Sequence, residues 1–509
     1  MGTSSGVVIG RPGDLPRRDV LRLAGAGGLA VFLAGCTGSG STSSDSTVHP
    51  TGNVTIRWVS PVGVSQAFFK KWYADYHGKH PNVTVKPDYL PLTQISEVIS
   101  LGVQNRNAHD VWSMLPPSVS TGQAVREGWI APLDDVVPDF AKWKAAFPEN
   151  VLVEGINIFD GKVYACPVVA PSYNTLLLYN RRYLHDAGYD PESAPLTWDD
   201  FRNAAAKITK AGNGDYYGWV LEGKQTPRLG VAVNNLAEMA GSGTTAYPAD
   251  GAPFNFHTGE FSFTTDLHVG AVELMLAMIR DKSLLPGAMS MEAKQAVAAL
   301  PGRHAGMILQ GAWNAALWGT SDPSFDFGVA NQPAPNPAVP IGESPGPATQ
   351  YYLYAGSKVK PVAGDMFAFL GSKDGQREYS KIVKVATRPI FPDALTGLNL
   401  SAREQRVVKL QNQFVRVRPE PAVRKAQLEN VASAWRGVTP DFGMTIQGIL
   451  GGQLDVRRGL QQSQDAYNAA LDRAIAAARG KGAEVSRADY VFPNWQPTKN
   501  YTPQDYAAL

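Results

Sequence analysis

Between Asn53 and Met114 the hydrophobic period switches from two to about 3.6 and back, and this switching constrains the fold more than any other feature of the chain. In "NVTIRWVS", Val54, Ile56 and Trp58 alternate with Thr55 and Arg57, the pattern of a half-buried strand. "SQAFFKKWYADYHGKHP" follows, with Phe68, Phe69, Trp72 and Tyr76 at helical spacing and Pro81 closing the run. "NVTVKPDYL" reads as a second strand, the amphipathic stretch from Ile95 to Val103 as a second helix, and "HDVWSML" from His109 as a third strand. Strands joined through helices pair in parallel, so an α/β layer with a parallel sheet is expected.

The middle of the chain has the same texture. Thr197-Trp198-Asp199-Asp200 carries the [ST]-x-x-[DE] capping pattern, followed by Phe201, Ala205 and Ile208 on one face, which predicts a helix starting near Trp198. "GRHAGMILQGAWNAALWG" contains a short apolar strand, Met307 to Leu309, then Gly311 and a helix start at Trp313. Near the end, Val456, Leu460, Tyr467, Leu471 and Ile475 form one stripe of a long helix.

The first 52 residues read differently. Arg17 and Arg18 precede "LAGAGGLAVFLAG", Leu23 to Gly35, a run shorter than the roughly 20 residues needed to span a bilayer. It fits residues 1–35 as an export signal. The arginine pair resembles a twin-arginine signal, although Val20 stands where a larger apolar residue is usual, and a Sec signal stays open. Leu33-Ala34-Gly35-Cys36 matches the bacterial lipobox, whose cysteine thiol is acylated; residues 36–52, rich in Gly, Ser and Thr, then read as a flexible tether. If Cys36 is acylated, Cys166 has no partner and is expected to be a buried small hydrophobe.

The chain after Cys36 is too long for one ordinary core, which favours two lobes. A hydrophobic content of 44% points to a well-packed globular protein, and a net charge of +2 shows no bias toward nucleic acid. His77 and His80 read as a surface pair, since no third metal ligand lies near them in sequence, and no cofactor is expected. The G-x-G-x-x-A pattern at Gly25 falls inside the export signal with no strand before it, so it is no dinucleotide site.

The order "DGKVYACPV", "LLLYNRRYLHDAGYD", "LTWDDF", "GMILQGAW" and "IQGILGGQLDVRRGLQQS" resembles the family 1 extracellular solute-binding proteins of ABC transporters, the maltose-binding-like receptors. The likeness runs from about Asn53 to about Ile475. Two departures stand out: His109 replaces the usual proline, and Arg388 to Gln405, "RPIFPDALTGLNLSAREQ", has no counterpart in the pattern. The resemblance implies a two-lobed α/β periplasmic-binding-protein-like fold with a ligand cleft between the lobes. Lobe 1 would hold residues 53–164 and 349–372, and lobe 2 residues 165–348 and 373–509.

In such folds ligands sit beyond the carboxyl ends of strands. That rule selects Ser60, Trp112, Ser113, Met114, Tyr173, Asn174, Trp219, Glu222, Trp313, Tyr351 and Tyr352 as candidate ligand-binding residues. Trp313 matches the aromatic that stacks on sugar in the family. Carbohydrate suits the set, because a pyranose has an apolar face for aromatic rings and hydroxyls for carboxylates and amides. The resemblance therefore implies a monomeric receptor, lipid-anchored through Cys36 on the extracytoplasmic face of the membrane, that passes a sugar to the membrane subunits of an ABC importer and does no chemistry on it. Two rivals remain: a receptor for a polyamine or phosphodiester, and an exported glycan-active enzyme, which would need paired carboxylates in a cleft.

Overall fold

The computed structural model describes residues 52–509 except 117–118, 249–250 and 336. The export signal, Cys36 and the tether lie outside the described residues.

The chain begins with β1 (Val54–Pro61), α1 (Gln66–Lys79), β2 (Val83–Leu90), α2 (Leu92–Gln104) and β3 (Val111–Trp112), and β1 pairs in parallel with both β2 and β3. The expected strand at "HDVWSML" is thus only two residues long. The alternation along β1 sends Ile56, Trp58 and Ser60 to one face, where α1 covers them with Phe68, Phe69 and Trp72. Trp58 is the centre of this core: the rings of Trp72, Tyr73, Tyr351 and Phe367 lie with centroids 5.3–5.7 Å from it. After α3 (Thr121–Arg126) the first passage ends on β4 (Cys166–Val169), where Cys166 is buried.

The second sheet follows. Its strands are β5 (Leu176–Asn180), β6 (Tyr217–Trp219), β7 (Ala305–Gln310) and β8 (Phe327–Ala330), in the spatial order β8-β5-β7-β6. All five residues of β5 are buried, because both faces are covered. Leu177 and Tyr179 pack toward α4 (Trp198–Gly212), whose Phe201 and Ile208 share their cluster, while Leu176 and Leu178 pack toward α6 (Trp313–Ser321). The α4 start is the expected capping box: Thr197 Oγ1 accepts from the Asp200 N–H at 3.1 Å and Asp200 Oδ2 accepts from the Thr197 N–H at 3.1 Å. Between β6 and β7 runs α5 (Thr226–Met239).

From β9 (Ile341–Glu343) the chain returns to the first sheet as β10 (Thr349–Leu353), inserted antiparallel between β3 and β4. It continues through α7 (Lys360–Leu370) and α8 (Lys373–Val383), crosses back into α9 (Ala402–Phe414) and β11 (Val415–Val417), which pairs with β9, and later forms the long α10 (Val456–Gly480). Both expected boundaries fall short. Cys166–Val169 pairs with β10 in the first sheet, and Tyr379 and Val383 of α8 belong to the Trp58 core, so the crossings come after Val169 and after Val383.

The three crossings lie side by side. The Ala348 N–H donates to the Val169 carbonyl at 2.8 Å, the Ala170 N–H donates to the Arg388 carbonyl at 2.8 Å, and Val169 and Pro389 form a bridge. Where the second crossing leaves β9, both backbone groups of Gly342 are held by side chains: its N–H donates to Glu238 Oε1 at 2.8 Å, and Thr245 Oγ1 donates to its carbonyl at 2.8 Å.

Glu238 is 3% exposed, and its other carboxyl oxygen has no partner among the described residues. Burial pushes this carboxyl up to about 8, with the Gly342 hydrogen bond opposing the shift. A raised carboxyl pKa favours the folded state fully below the unfolded value, roughly pH 4.5, and that contribution is lost as pH rises toward 8. Glu238→Gln keeps an acceptor for Gly342, so denaturant titrations are expected to show a shallower loss of stability between about pH 5 and pH 8 in this variant. Equal slopes in both proteins contradict the assignment.

Candidate ligand-binding cleft

The direction of each strand decides which loops meet. Leu176 at the start of β5 stands opposite Gln310 at the end of β7, β8 runs antiparallel to β5, and β6 runs parallel to β7. The segment before β5, the ends of β6 and β7, and the end of β8 therefore share one edge of the second sheet. Asn174, Glu222, Gln310 and Asn331 are gathered there from four separate stretches of sequence.

A chain of hydrogen bonds ties this edge together. Glu222 Oε1 accepts from Arg228 Nε at 3.0 Å and from Gln310 Nε2 at 2.7 Å. Gln310 Oε1 accepts in turn from Asn314 Nδ2 at 3.0 Å and from the Gly311 N–H at 3.1 Å. Arg228 Nη2 donates to the Asn174 carbonyl at 3.1 Å, and Ser172 Oγ donates to Asn174 Oδ1 at 3.0 Å. Glu222, Gln310 and Asn314 are buried. A buried carboxylate held by a guanidinium and an amide costs desolvation and repays little net stability, so its consequence is positional: it fixes the turn between β7 and α6.

Trp313 begins α6 immediately after that turn and is half-buried. Its ring lies across Gly311 so closely that a side chain at 311 would collide with it. The ring forms one wall of a pocket that also takes in Ser172 and Asn174 from the first crossing, residues 385–389 from the third, and Pro392, Leu395, Val407, Val408, Gln411 and Asn412 beyond it. None of the lining residues is acidic.

Of the residues selected from sequence, Asn174, Glu222 and Trp313 are thus brought together. Tyr173 is beside them but faces inward: its hydroxyl donates to Asn331 Oδ1 at 3.0 Å and accepts from the Gln332 N–H at 2.9 Å, and burial raises its pKa. Trp219 is 2% exposed and packs edge-on against Phe201. In the first lobe, Ser60 and Tyr351 are both buried and hydrogen-bond to each other at 2.8 Å within the Trp58 core. Trp112 is fully buried against Tyr354, and the Tyr352 hydroxyl is held by Gln350 at 2.7 Å and Thr121 at 3.3 Å. The Ser113 hydroxyl is buried without a partner among the described residues, and Met114 is half-buried against the Trp112 cluster. Six of these side chains, those of Ser60, Trp112, Tyr173, Trp219, Tyr351 and Tyr352, are therefore packed into cores: Tyr173 is held by its hydrogen bonds, and the other five, in strands, keep the face that the pleat assigns them.

Sequence reasoning missed Arg228, Gln310 and Asn314, and everything that the segment after Arg388 contributes. Gln310 had a readable signal, as the polar residue closing an apolar strand just before Gly311; Arg228, inside the first turn of α5, had none.

The family model described as bacterial extracellular solute-binding protein matches residues 61–377, more than half of the chain, and the chain belongs to that family. Among solved structures it is similar to the GacH receptor of Streptomyces glaucescens, determined unliganded and with acarbose, at 18% identity and a TM-score of 0.62, covering 82% of this chain and 98% of that one. It is likewise similar to maltose-bound MalE3 of T. maritima, at 17% identity and a TM-score of 0.62 over 81% and 98% of the two chains. A third is the cyclic α-maltosyl-1,6-maltose binding protein of Arthrobacter globiformis, at 22% identity and a TM-score of 0.56 over 82% and 99%. The shared property is the fold: two α/β lobes with a ligand cleft between them.

Proposed function

We propose that this protein is an extracytoplasmic carbohydrate receptor that delivers its solute to the membrane subunits of an ABC importer. The observation that carries the reading is the half-exposed Trp313 ring, fixed at the meeting point of strand ends and crossings by the Glu222–Gln310–Asn314 chain. A pyranose presents one apolar face for such a ring and hydroxyls for the amides around it. The sugars named with the similar receptors, acarbose and maltose among them, agree with this class of solute. A polyamine would call for a carboxylate-lined pocket, and a glycan-cleaving site for paired free carboxylates; Glu222 is instead committed to Arg228 and Gln310.

In this reading the sugar touches both lobes, so binding favours the closed arrangement, and the closed form docks on the transporter. No helix among the described residues is long and apolar enough to cross a membrane. Attachment is assigned to acylated Cys36, with residues 37–52 as a tether that raises the receptor's local concentration at the importer.

Calorimetry against a panel of mono- and oligosaccharides is expected to find at least one ligand, with affinity falling about tenfold or more in Trp313→Ala, roughly 1.4 kcal/mol. Absence of sugar binding, with another solute bound equally well by Trp313→Ala, contradicts both ligand class and site. Mass spectrometry of the membrane-extracted protein is expected to find Cys36 as an acylated N-terminus; a mature chain starting elsewhere removes the anchor and leaves the cleft argument standing.

A further inference from the structure

Arg388 forms no ion pair among the described residues. It sits half-buried on the third crossing and lines the same pocket as Trp313 and Asn174. Its Nη1 donates to the Pro171 carbonyl at 3.1 Å and its Nη2 to Asn412 Oδ1 at 3.3 Å, both neutral acceptors. No carboxylate oxygen among the described residues lies within 4.0 Å of it. Burial, the largest influence, and then Arg416 pull its pKa below the usual guanidinium value, while Glu343, from beyond that distance, acts in the opposite direction. A guanidinium has five N–H donors, and a partly desolvated charge without an opposite partner is costly.

The pocket beside it is small and largely apolar. Val385, Pro389, Pro392, Leu395 and Val407 share its walls with the Trp313 ring. Gln411 is not available to a ligand, since it accepts from the Tyr173 N–H at 2.7 Å and donates to the Tyr173 carbonyl at 2.9 Å. The volume is about 60 Å³, against the roughly 150 Å³ of a cavity that takes up benzene. It has room for a substituent of a few heavy atoms and not for a second ring. A small planar anion whose two oxygens match the guanidinium fork meets these conditions together, and a carboxylate is such a group.

We infer that the solute is an acidic saccharide, whose ring stacks on Trp313 and whose carboxylate is received by Arg388 in the adjoining pocket. This rests on the carbohydrate reading above and narrows it to uronate-type sugars.

The test is calorimetry on the full chain with the di- and trisaccharides of galacturonate, glucuronate and mannuronate, each beside its methyl ester. The expected result is an acid that binds about tenfold or more tighter than its ester, with the margin shrinking at high salt and lost in Arg388→Gln. If Arg388→Gln does not fold, the acid–ester margin of the unmodified chain and its salt dependence decide the matter. Acids and esters binding equally, or the margin surviving in a folded Arg388→Gln, overturns this inference and leaves a neutral-sugar receptor. Failure of every acid, ester and neutral oligosaccharide overturns the carbohydrate reading as well.

Discussion

The backbone pairing among three crossings is the constraint on which the rest depends. Val169 accepts from Ala348 and is bridged to Pro389, while Ala170 donates to Arg388, so segments distant in sequence are bound into one narrow junction. The first crossing leaves the first sheet at the end of β4, the second enters it at the start of β10, and the third follows α8; the first and third lead to the loops around Trp313. The candidate pocket and the junction share residues, since Arg388 and Pro389 belong to both.

The two charged features near the junction are handled differently. Arg228 and Glu222 neutralise each other inside the second lobe and spend their hydrogen bonds on orienting the turn that carries Trp313. Arg388 is left with neutral acceptors. A buried pair of the first kind has mainly geometric consequences. A guanidinium held only by neutral acceptors among the described residues would, in the role proposed for it, favour an anion over a cation.

Local structure was legible where the signal was local. The alternation of Val54, Ile56 and Trp58, the Thr197–Asp200 capping box and the stripe on Val456–Gly480 each became the expected element, because period and capping are short-range properties. The same alternation, carried one step further, puts Ser60 on the Trp58 face, which is why it is core. What sequence could not supply was partnership. Nothing in the sequence of Cys166–Val169 says that it pairs with Thr349–Tyr351 and not with the sheet that follows it. Arg388 to Gln405 has no family pattern, yet Arg388, Pro389, Pro392 and Leu395 from it line the pocket, a role set by where that segment folds.

The most direct test of the account is a crystal structure of the chain with a bound saccharide. A sugar ring stacked on Trp313, touching residues of both lobes across the junction of the three crossings, is the predicted result. A saccharide seated away from Trp313, or held by one lobe alone, contradicts it.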